Sequence, residues 1–275
     1  MKRQIKKILI PTDYSPNAKR AAKFGLGMAK LLNADVILFH AYHFPMTTSE
    51  DMVYISEMRK GEVKKLEDEK NLLSVGFKDL NISIMVEYGS AVDLIESISE
   101  KEKIDLIIMG TKGETDSLDA VLGSVASNAI NNVKCTTLVI PEETRDLVIE
   151  EIVLAADFHA TGKQDFYWPL LHILDKTNAS IDIVNVKSEI SLQEVPSASE
   201  IETDHVFEDY KHSHHFLESD NVEEALFDFA NVHEADLIAI LTRHYSLWER
   251  LWHKSLAKKL VLHSTIPLLI IHEDV

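Results

Sequence analysis

The feature that most constrains this chain is an internal repeat. Four short apolar segments of the first half recur in the second half, in the same order and spacing. The matched pairs are residues 7–13 with 151–157, 33–40 with 178–185, 104–109 with 235–240, and 137–140 with 267–270. Such a repeat indicates that one arrangement of elements occurs twice. We therefore interpret the second half as a diverged copy of the first and expect both to share one fold.

Helical patterns lie between these apolar segments, over residues 18–32, 57–73, 91–100 and 122–131 in the first half. Short, nearly continuous apolar strands that alternate with helices are typical of a parallel sheet covered on both faces. We therefore predict an α/β protein of two doubly wound, Rossmann-like domains, residues 1–143 and 147–275, each with a five-stranded parallel sheet. The polar connection that begins at Pro141 is very short, which favours two domains packed side by side.

Composition and charge restrict the partners. The 275 residues include 28 Lys and Arg against 45 Asp and Glu, a formal charge of −17. This balance argues against nucleic acid or an anionic membrane as the principal partner. No apolar run approaches the ~18–20 residues of a membrane span, and the single Cys135 excludes an internal disulfide and a Cys-rich metal site. We expect a cytoplasmic protein.

The negative charge is concentrated in the second half. Residues 1–145 contain 19 basic and 21 acidic side chains, whereas residues 146–275 contain 9 and 24. A polyanionic ligand would therefore prefer the first half.

The segment after the first predicted strand holds one candidate ligand-binding residue. Ligands of parallel sheets bind beyond the carboxyl ends of the strands, and Asp13 stands at that position. Its carboxylate could accept hydrogen bonds from a ribose or a similar polyol. An Asp or Ser at this point, here Asp13 and Ser15, more commonly caps the next helix. From these residues alone, capping is the favoured interpretation.

The segment after the fourth predicted strand combines three glycines with a hydroxyl residue. Gly110 and Gly113 follow the strand, and Gly123 and Ser124 stand where the next helix begins. Glycine permits positive φ and close backbone approach, so this segment could cradle phosphates with N–H groups and a hydroxyl, with Lys112 as a nearby cation. The spacing Gly-x2-Gly-x9-Gly-Ser is more specific than a pair of glycines.

These motifs resemble the universal stress protein family in its tandem form, over essentially all of both halves. The resemblance is carried by residues 10–13, 36–40 and 105–110 and by the glycine-serine set. It implies an adenine nucleotide alpha hydrolase-like fold and ATP as the ligand, and it leaves open whether Mg²⁺ accompanies the ATP. The implied nucleotide-binding residues are Pro11, Thr12 and Asp13 for the nucleoside, Ala41 for adenine, and Gly110, Gly113, Gly123, Ser124 and Val125 for the phosphates, with Met109, Thr111 and Lys112 beside them.

The second copy departs from this motif. When Asp105 is aligned with Asp236, three larger residues replace the glycines and only the serine is kept. The second-half residues at these positions are Leu241, His244, Lys254 and Ser255. Side chains there would obstruct the approach of a phosphate to the backbone. We therefore expect one nucleotide per chain, bound in the first domain.

The resemblance also implies a function and an assembly. It implies a nucleotide-dependent regulator of stress response or signalling that acts through an unidentified protein partner. Family members pair through their last strands, which implies an internal pseudo-dimer within this chain, and a homodimer of tandem chains is expected. No Gly-x-Ser-x-Gly, P-loop or His-Glu-x-x-His signature is present, and no catalytic residue is indicated. The open alternatives are a slow ATPase or nucleotide-transfer enzyme, a small-ligand or metal sensor that uses the second domain, and a structural partner protein.

A histidine-rich, acidic stretch stands out in the second half. His205, His212, His214 and His215 have side chains that suit zinc, but their spacing matches no closed zinc motif. In a strand, the adjacent residues His214 and His215 would point to opposite faces. The sequence therefore predicts no metal site here and favours a solvated or partly pH-responsive surface.

Overall fold

The computed structural model describes residues 3–43, 51–111, 125–126, 128–129, 133–144, 147–156, 164–187, 204–242 and 264–272. The chain divides into two compact units, one of residues 5–143 and the other of residues 1–4 with 144–275. None of the helices in the described ranges has the length and apolar character that a membrane crossing needs.

The first unit is a parallel sheet with helices between its strands. In chain order its elements are β1 (Lys7–Pro11), α1 (Pro16–Leu32), β2 (Asp35–Tyr42), α2 (Asp51–Leu73), β3 (Ile82–Tyr88), α3 (Ala91–Lys101), β4 (Leu106–Gly110) and β5 (Thr137–Ile140). Within the described ranges the strands pair in the order β3-β2-β1-β4-β5, and every pairing is parallel. This is the α/β architecture predicted for the first half.

The second unit repeats this order. Its elements are β6 (Glu151–Ala155), a 3₁₀ helix (Gln164–Tyr167), α4 (Trp168–Thr177), β7 (Ser180–Lys187), β8 (His212–Glu218), α5 (Val222–Val232), β9 (Leu237–Thr242) and β10 (Leu268–His272). Its strands pair in the order β8-β7-β6-β9-β10, again all parallel. The predicted repeat is confirmed at the level of topology.

The repeat extends to strand register. Lys7 pairs with Asp35 in the first unit, and the matched residues Glu151 and Ser180 pair in the second. The pairs that join β1 to β4 and β6 to β9 match in the same way. The first three predicted segment matches are therefore correct residue by residue.

The predicted match of the last strands is wrong by one residue. Ile107 pairs with Thr137, and its counterpart Ile238 pairs with Leu268, so Thr137 corresponds to Leu268 and not to Pro267. Both strands are buried along their length, and a continuous apolar run has no alternation that would mark its register.

Local residue chemistry explains where the helices begin and end. The Ser15 hydroxyl accepts a hydrogen bond from the Ala18 N–H at 3.1 Å, which caps α1, and Pro16 occupies its first turn. Asn33 ends α1 in the left-handed conformation with φ of 54°, and Asn178 ends α4 in the same way with φ of 55°. Asn tolerates this conformation better than most residues, so the repeated Asn is a helix stop in both units.

Several predicted helix boundaries differ from those observed. The helix predicted from residue 18 begins at Pro16, and the one predicted from residue 57 begins at Asp51, six residues earlier. The helix predicted over 91–100 spans Ala91–Lys101. Of the helix predicted over 122–131, residues 125–126 and 128–129 are helical, and the remainder lies outside the described residues.

The central strands form the core of each sheet. In the first unit, Ile10 and Ile108 are fully buried beneath α1. A Cβ built on Gly25 of α1 would lie 2.7 Å from Ile10 Cδ1 and 3.5 Å from Ile108 Cγ2. Glycine at this point lets α1 approach β1 and β4 closely. In the second unit, counting back from the helix-ending Asn places Leu170 at the position of Gly25, and Ala239 replaces Ile108; both are fully buried.

An aspartate anchors the amino end of the central strand in each unit. Asp105 Oδ2 accepts hydrogen bonds from the backbone N–H groups of Lys6 and Lys7, at 2.9 and 3.1 Å. Asp236 Oδ2 accepts the same two bonds from residues 150 and 151, at 2.8 and 3.2 Å. The Asp shared by the two repeats therefore has a structural role.

Candidate functional site

The candidate site lies where β1 and β4 end. These strands are neighbours in the sheet, so the residues that follow each of them share one edge. Asn17, in the first turn of α1, donates a hydrogen bond from Nδ2 to Thr111 Oγ1 at 3.1 Å, and both residues are 5% exposed. This buried bond joins the start of α1 to the first residue after β4.

Gly110, the last residue of β4, packs closely against the side chain of Asn17. A Cβ at this position would lie 3.0 Å from Asn17 Cγ and 3.0 Å from Asn17 Nδ2, tighter than nearly all real contacts. Its φ lies outside the left-handed region, so of the two properties that glycine permits, close approach rather than positive φ applies at Gly110. The close approach of the Asn17 amide is the reason for the glycine.

The segment after β1 forms a tight turn. Asp13 Oδ1 accepts a hydrogen bond from the Ser15 N–H at 3.0 Å, and Thr12 Oγ1 accepts one from the Tyr14 N–H at 3.1 Å. Tyr14, between them, has a φ of 68°, a conformation that bulky residues rarely adopt. Ser15 caps α1, as the capping interpretation expected, while the Asp13 carboxylate closes the turn before the helix.

The structure adds three side chains that the sequence reasoning missed. His40 Nδ1 lies 2.8 Å from the Thr12 carbonyl oxygen, and since a carbonyl only accepts, Nδ1 carries the hydrogen. His40 Nε2 lies 3.5 Å from Glu62 Oε2, and the Tyr14 hydroxyl donates to the same oxygen at 3.5 Å. Burial, and then the Glu62 carboxylate, raise the pKa of Tyr14 above its usual value, so this hydroxyl stays protonated.

The repeat contained a signal for His40. Its counterpart in the second unit is Asn185, whose Nδ2 donates to the Ala156 carbonyl oxygen at 2.9 Å. The two side chains differ in chemistry but support the same backbone carbonyl after the first strand of each unit. A hydrogen-bond donor at this position of the repeat was therefore visible in the sequence.

The remaining predicted site residues have different positions. Pro11 ends β1, and Met109 is a buried residue of β4. Ala41 was predicted just after the second strand but is the penultimate residue of β2, half-buried and paired with Glu87. Val125 is helical and 37% exposed. The predicted residues Lys112, Gly113, Gly123 and Ser124 lie outside the described residues.

The corresponding edge of the second unit is different. Leu241, at the position of Gly110, is 6% exposed and pairs with Ile271 of β10. A leucine side chain therefore occupies the place where the first unit has only backbone. The other predicted replacements, His244, Lys254 and Ser255, lie beyond the described ranges.

The histidines of the histidine-rich stretch lie in different environments. His212 and His214 lie on one face of β8, and His215 lies on the other, as expected for a strand. His205 is exposed, with Nδ1 3.2 Å from Glu208 Oε2. These histidines are far along the chain from the candidate nucleotide site and belong to the other unit.

Comparison with known proteins identifies the family. The model of the universal stress protein family matches residues 4–141 and again 152–272. This chain belongs to the universal stress protein family. The two matches place one family domain in each half, as the resemblance implied.

Several individual proteins are similar to this chain. The universal stress protein MJ0531 of Methanocaldococcus jannaschii is 32% identical over 154 residues, which cover 51% of this chain and 85% of the relative. A universal stress protein of Archaeoglobus fulgidus DSM 4304 has the same fold, with a TM-score of 0.70 at 18% identity, covering 97% of this chain and 96% of that one. A solved universal stress protein in complex with cAMP covers 50% of this chain and 96% of its own, at 20% identity and a TM-score of 0.38.

Proposed function

We propose that this universal stress protein binds ATP in its first unit, beyond the carboxyl ends of β1 and β4, and that the bound nucleotide regulates a stress-response or signalling partner. The observation that carries the proposal is the buried hydrogen bond of 3.1 Å between Asn17 and Thr111. It holds the start of α1 beside Thr111, the first residue after β4. In doubly wound sheets, ligands bind at this edge.

The phosphate side of the proposed site begins at Gly110. The backbone carries no side chain at this point, and the sequence continues with Gly113, Gly123 and Ser124. We assign the phosphates to the N–H groups of these residues and of Val125 and to the Ser124 hydroxyl, with Lys112 as the counter-charge. Met109 and Thr111 are 3% and 5% exposed, so their contribution is to position the backbone.

The nucleoside side of the proposed site lies at the ends of β1 and β2. The carboxylate of Asp13 is held by the Ser15 N–H, which orients it to accept hydrogen bonds from ribose hydroxyls. Pro11 and Thr12 shape the turn, because the Thr12 hydroxyl is bound to the backbone of Tyr14. The small side chain of Ala41 at the end of β2 would face adenine.

We assign one nucleotide to each chain. Leu241 occupies the second-unit position of Gly110, and the sequence places Lys254 where the first unit has Gly123. A side chain at either position removes the close approach to backbone N–H groups that phosphate binding needs. The excess of acidic residues in the second half, 24 against 9 basic ones, disfavours a polyanion there as well.

The deciding experiment is to denature the freshly purified chain and identify the released small molecules by chromatography and mass spectrometry. We expect ATP or ADP near one molecule per chain. Gly123→Lys, which copies the second-half residue, should abolish it, whereas the matched exchange Lys254→Gly should leave it unchanged. The absence of nucleotide from the wild-type chain, followed by no binding when ATP is added back, would contradict the proposal.

A further inference from the structure

A second ligand site is suggested by three side chains of the second unit. Asp204 lies in a helical turn over residues 204–207, and His212 and His214 lie on the same face of β8. Asp204 Oδ1 is 2.9 Å from His212 Nε2 and 3.4 Å from His214 Nε2. One ligand atom from each residue lies within 4.8 Å of the other two.

These distances are those expected around a small metal ion. Zinc binds His nitrogen and carboxylate oxygen at about 2.0–2.1 Å, so two ligand atoms of a tetrahedral site lie about 3.3 Å apart. The two oxygen-to-nitrogen distances at Asp204, 2.9 and 3.4 Å, are close to this value. The ligand atoms of the two histidines lie within 4.8 Å of each other, so one ion can reach all three groups once the rings move toward it.

The ring of His212 is already oriented for metal binding. Its Nδ1 lies 3.0 Å from the Tyr210 carbonyl oxygen, so Nδ1 carries a hydrogen and Nε2 faces Asp204. Metal-binding histidines are typically held in this way, with the second ring nitrogen donating to a carbonyl or carboxylate. The bond to Tyr210 is independent of the three-residue cluster and specifies which nitrogen would bind.

Charge and exposure also favour a cation. The Asp204 carboxylate adds an acidic group beside the two imidazole rings. The side chains of His212 and His214 are 18% and 21% exposed, whereas that of Asp204 is 63% exposed. The cluster is therefore fixed on the protein side and open toward solvent, in the more acidic half of the chain.

We propose that Asp204, His212 and His214 form a binding site for one Zn²⁺ ion per chain, with a fourth position open to water or to an external donor. Two imidazoles and one carboxylate suit zinc better than the oxygen-preferring Mg²⁺ or Ca²⁺. His205 and His215 belong to the same histidine-rich stretch, but their contacts are with Glu208 and Asp182 and not with this cluster. Asp204 was missed because nothing local links it to β8.

The opposite face of β8 offers a matched control. There His215 Nε2 lies 3.0 Å from Asp182 Oδ1, and His233 Nδ1 lies 3.2 Å from Asp182 Oδ2. The two histidines contact different oxygens of the same carboxylate, and the Ser213 hydroxyl contacts both Asp182 Oδ1 and His215 Nε2. His215→Ala removes an imidazole from the same strand without touching the proposed ligands.

The test is equilibrium dialysis of the full, tag-free chain against Zn²⁺, with the bound metal measured by atomic absorption. We expect one Zn²⁺ per wild-type chain and an unchanged stoichiometry and affinity for His215→Ala. His214→Ala and Asp204→Asn should each weaken binding at least about tenfold, because even the loss of a supporting residue costs that much at metal sites. Asp204 is exposed, so Asp204→Asn tests the ligand role without disturbing the core.

A second readout tests the coordination directly. Co²⁺ added to the wild-type chain should give the intense visible absorption of a four-coordinate site, and Asp204→Asn should reduce it. Thermal melting followed by circular dichroism checks that each variant is folded. The proposal is overturned if the wild type binds no Zn²⁺, if Asp204→Asn and His214→Ala both bind as the wild type does, or if His215→Ala alone abolishes binding.

Discussion

The two units share their framework and differ at the edge of the sheet where their central strands end. Strand order, strand register, the anchoring residues Asp105 and Asp236, and the helix-ending Asn33 and Asn178 are repeated. At the edge, Gly110 of the first unit is replaced by Leu241 of the second. The residues that anchor strands and end helices therefore recur in both units, whereas Gly110, the last residue of β4, does not.

The buried layer between helix and sheet shows a different kind of divergence. The first unit combines Gly25 on its helix with Ile108 on its strand, and the second combines Leu170 with Ala239. In the first unit the helix residue is small and the strand residue is large. In the second unit the sizes are reversed. Close-packed cores tolerate such exchanges when the total volume is kept.

The largest expected effect on stability comes from changing the size of one residue in this layer without a compensating change in the other. Gly25→Leu places a side chain against Ile10 and Ile108, and we expect it to lower the free energy of unfolding by about 3 kcal/mol. Ile108→Ala leaves a cavity and should cost about 3 kcal/mol. The combined exchange Gly25→Leu, Ile108→Ala and Ile10→Leu copies the second unit and should cost about 1–2 kcal/mol, less than the sum.

Urea unfolding of the full chain, followed by circular dichroism, measures these three variants. Lys23→Ala, at an exposed residue of α1, serves as a control for nonspecific helix damage. If the combined variant loses as much unfolding free energy as the single variants together, the residues of the two units do not compensate each other in volume.

A smaller effect is expected at the anchoring aspartates. Asp105→Ala and Asp236→Ala each remove two charge-assisted bonds to strand N–H groups, and each should lower the stability of its own unit by about 1.5 kcal/mol. Hydrogen exchange with mass spectrometry resolves the two units separately. Asp105→Asn keeps one acceptor oxygen and should cost about half as much. A large effect in one unit and none in the other would refute equivalent roles.

The smallest effect is expected at the helix ends. Asn33→Ala and Asn178→Ala force alanine into the left-handed conformation and should each cost about 1 kcal/mol. Asn33→Gly and Asn178→Gly should be neutral or stabilising, because glycine adopts positive φ without strain. Thermal melting measures both pairs. If Asn33→Gly destabilises as much as Asn33→Ala, the Asn side chain rather than its φ is what ends the helix.

Much of the fold was predictable from the sequence, and the exceptions have physical causes. The apolar runs of β1 and β4 identify buried parallel strands, and the repeated Asn marks the helix ends. The match of β5 with β10 failed because a fully buried strand lacks the alternation that marks register. The start of α2 was placed too late because polar, charge-rich segments have weak apolar periodicity. The packing of the two units as an internal pseudo-dimer stays a prediction.

The candidate sites were predictable only in part. The glycine motif lies within one segment of the sequence, and Asp13 directly follows the first apolar run, so both could be found from local patterns. The contacts of His40 with Thr12 and of Asn17 with Thr111 join residues that are 28 and 94 positions apart, and no local pattern reports such pairs. The capping interpretation of Ser15 is confirmed, whereas the close contact of Gly110 with the Asn17 amide was visible only in the structure.

By itself, the sequence determined the α/β class, the duplication and the family. It also showed that the glycines of the first half are replaced by larger residues in the second half. All of these can be found from periodicity, repeats and motifs in the chain. Only the tertiary structure decided which side chains meet. It brought Asp204 onto His212 and His214, put His215 on the other face of β8, and set the Asn17 amide against Gly110. Such contacts depend on how strands pair and helices pack. No local run of residues specifies the distances between side chains on different strands.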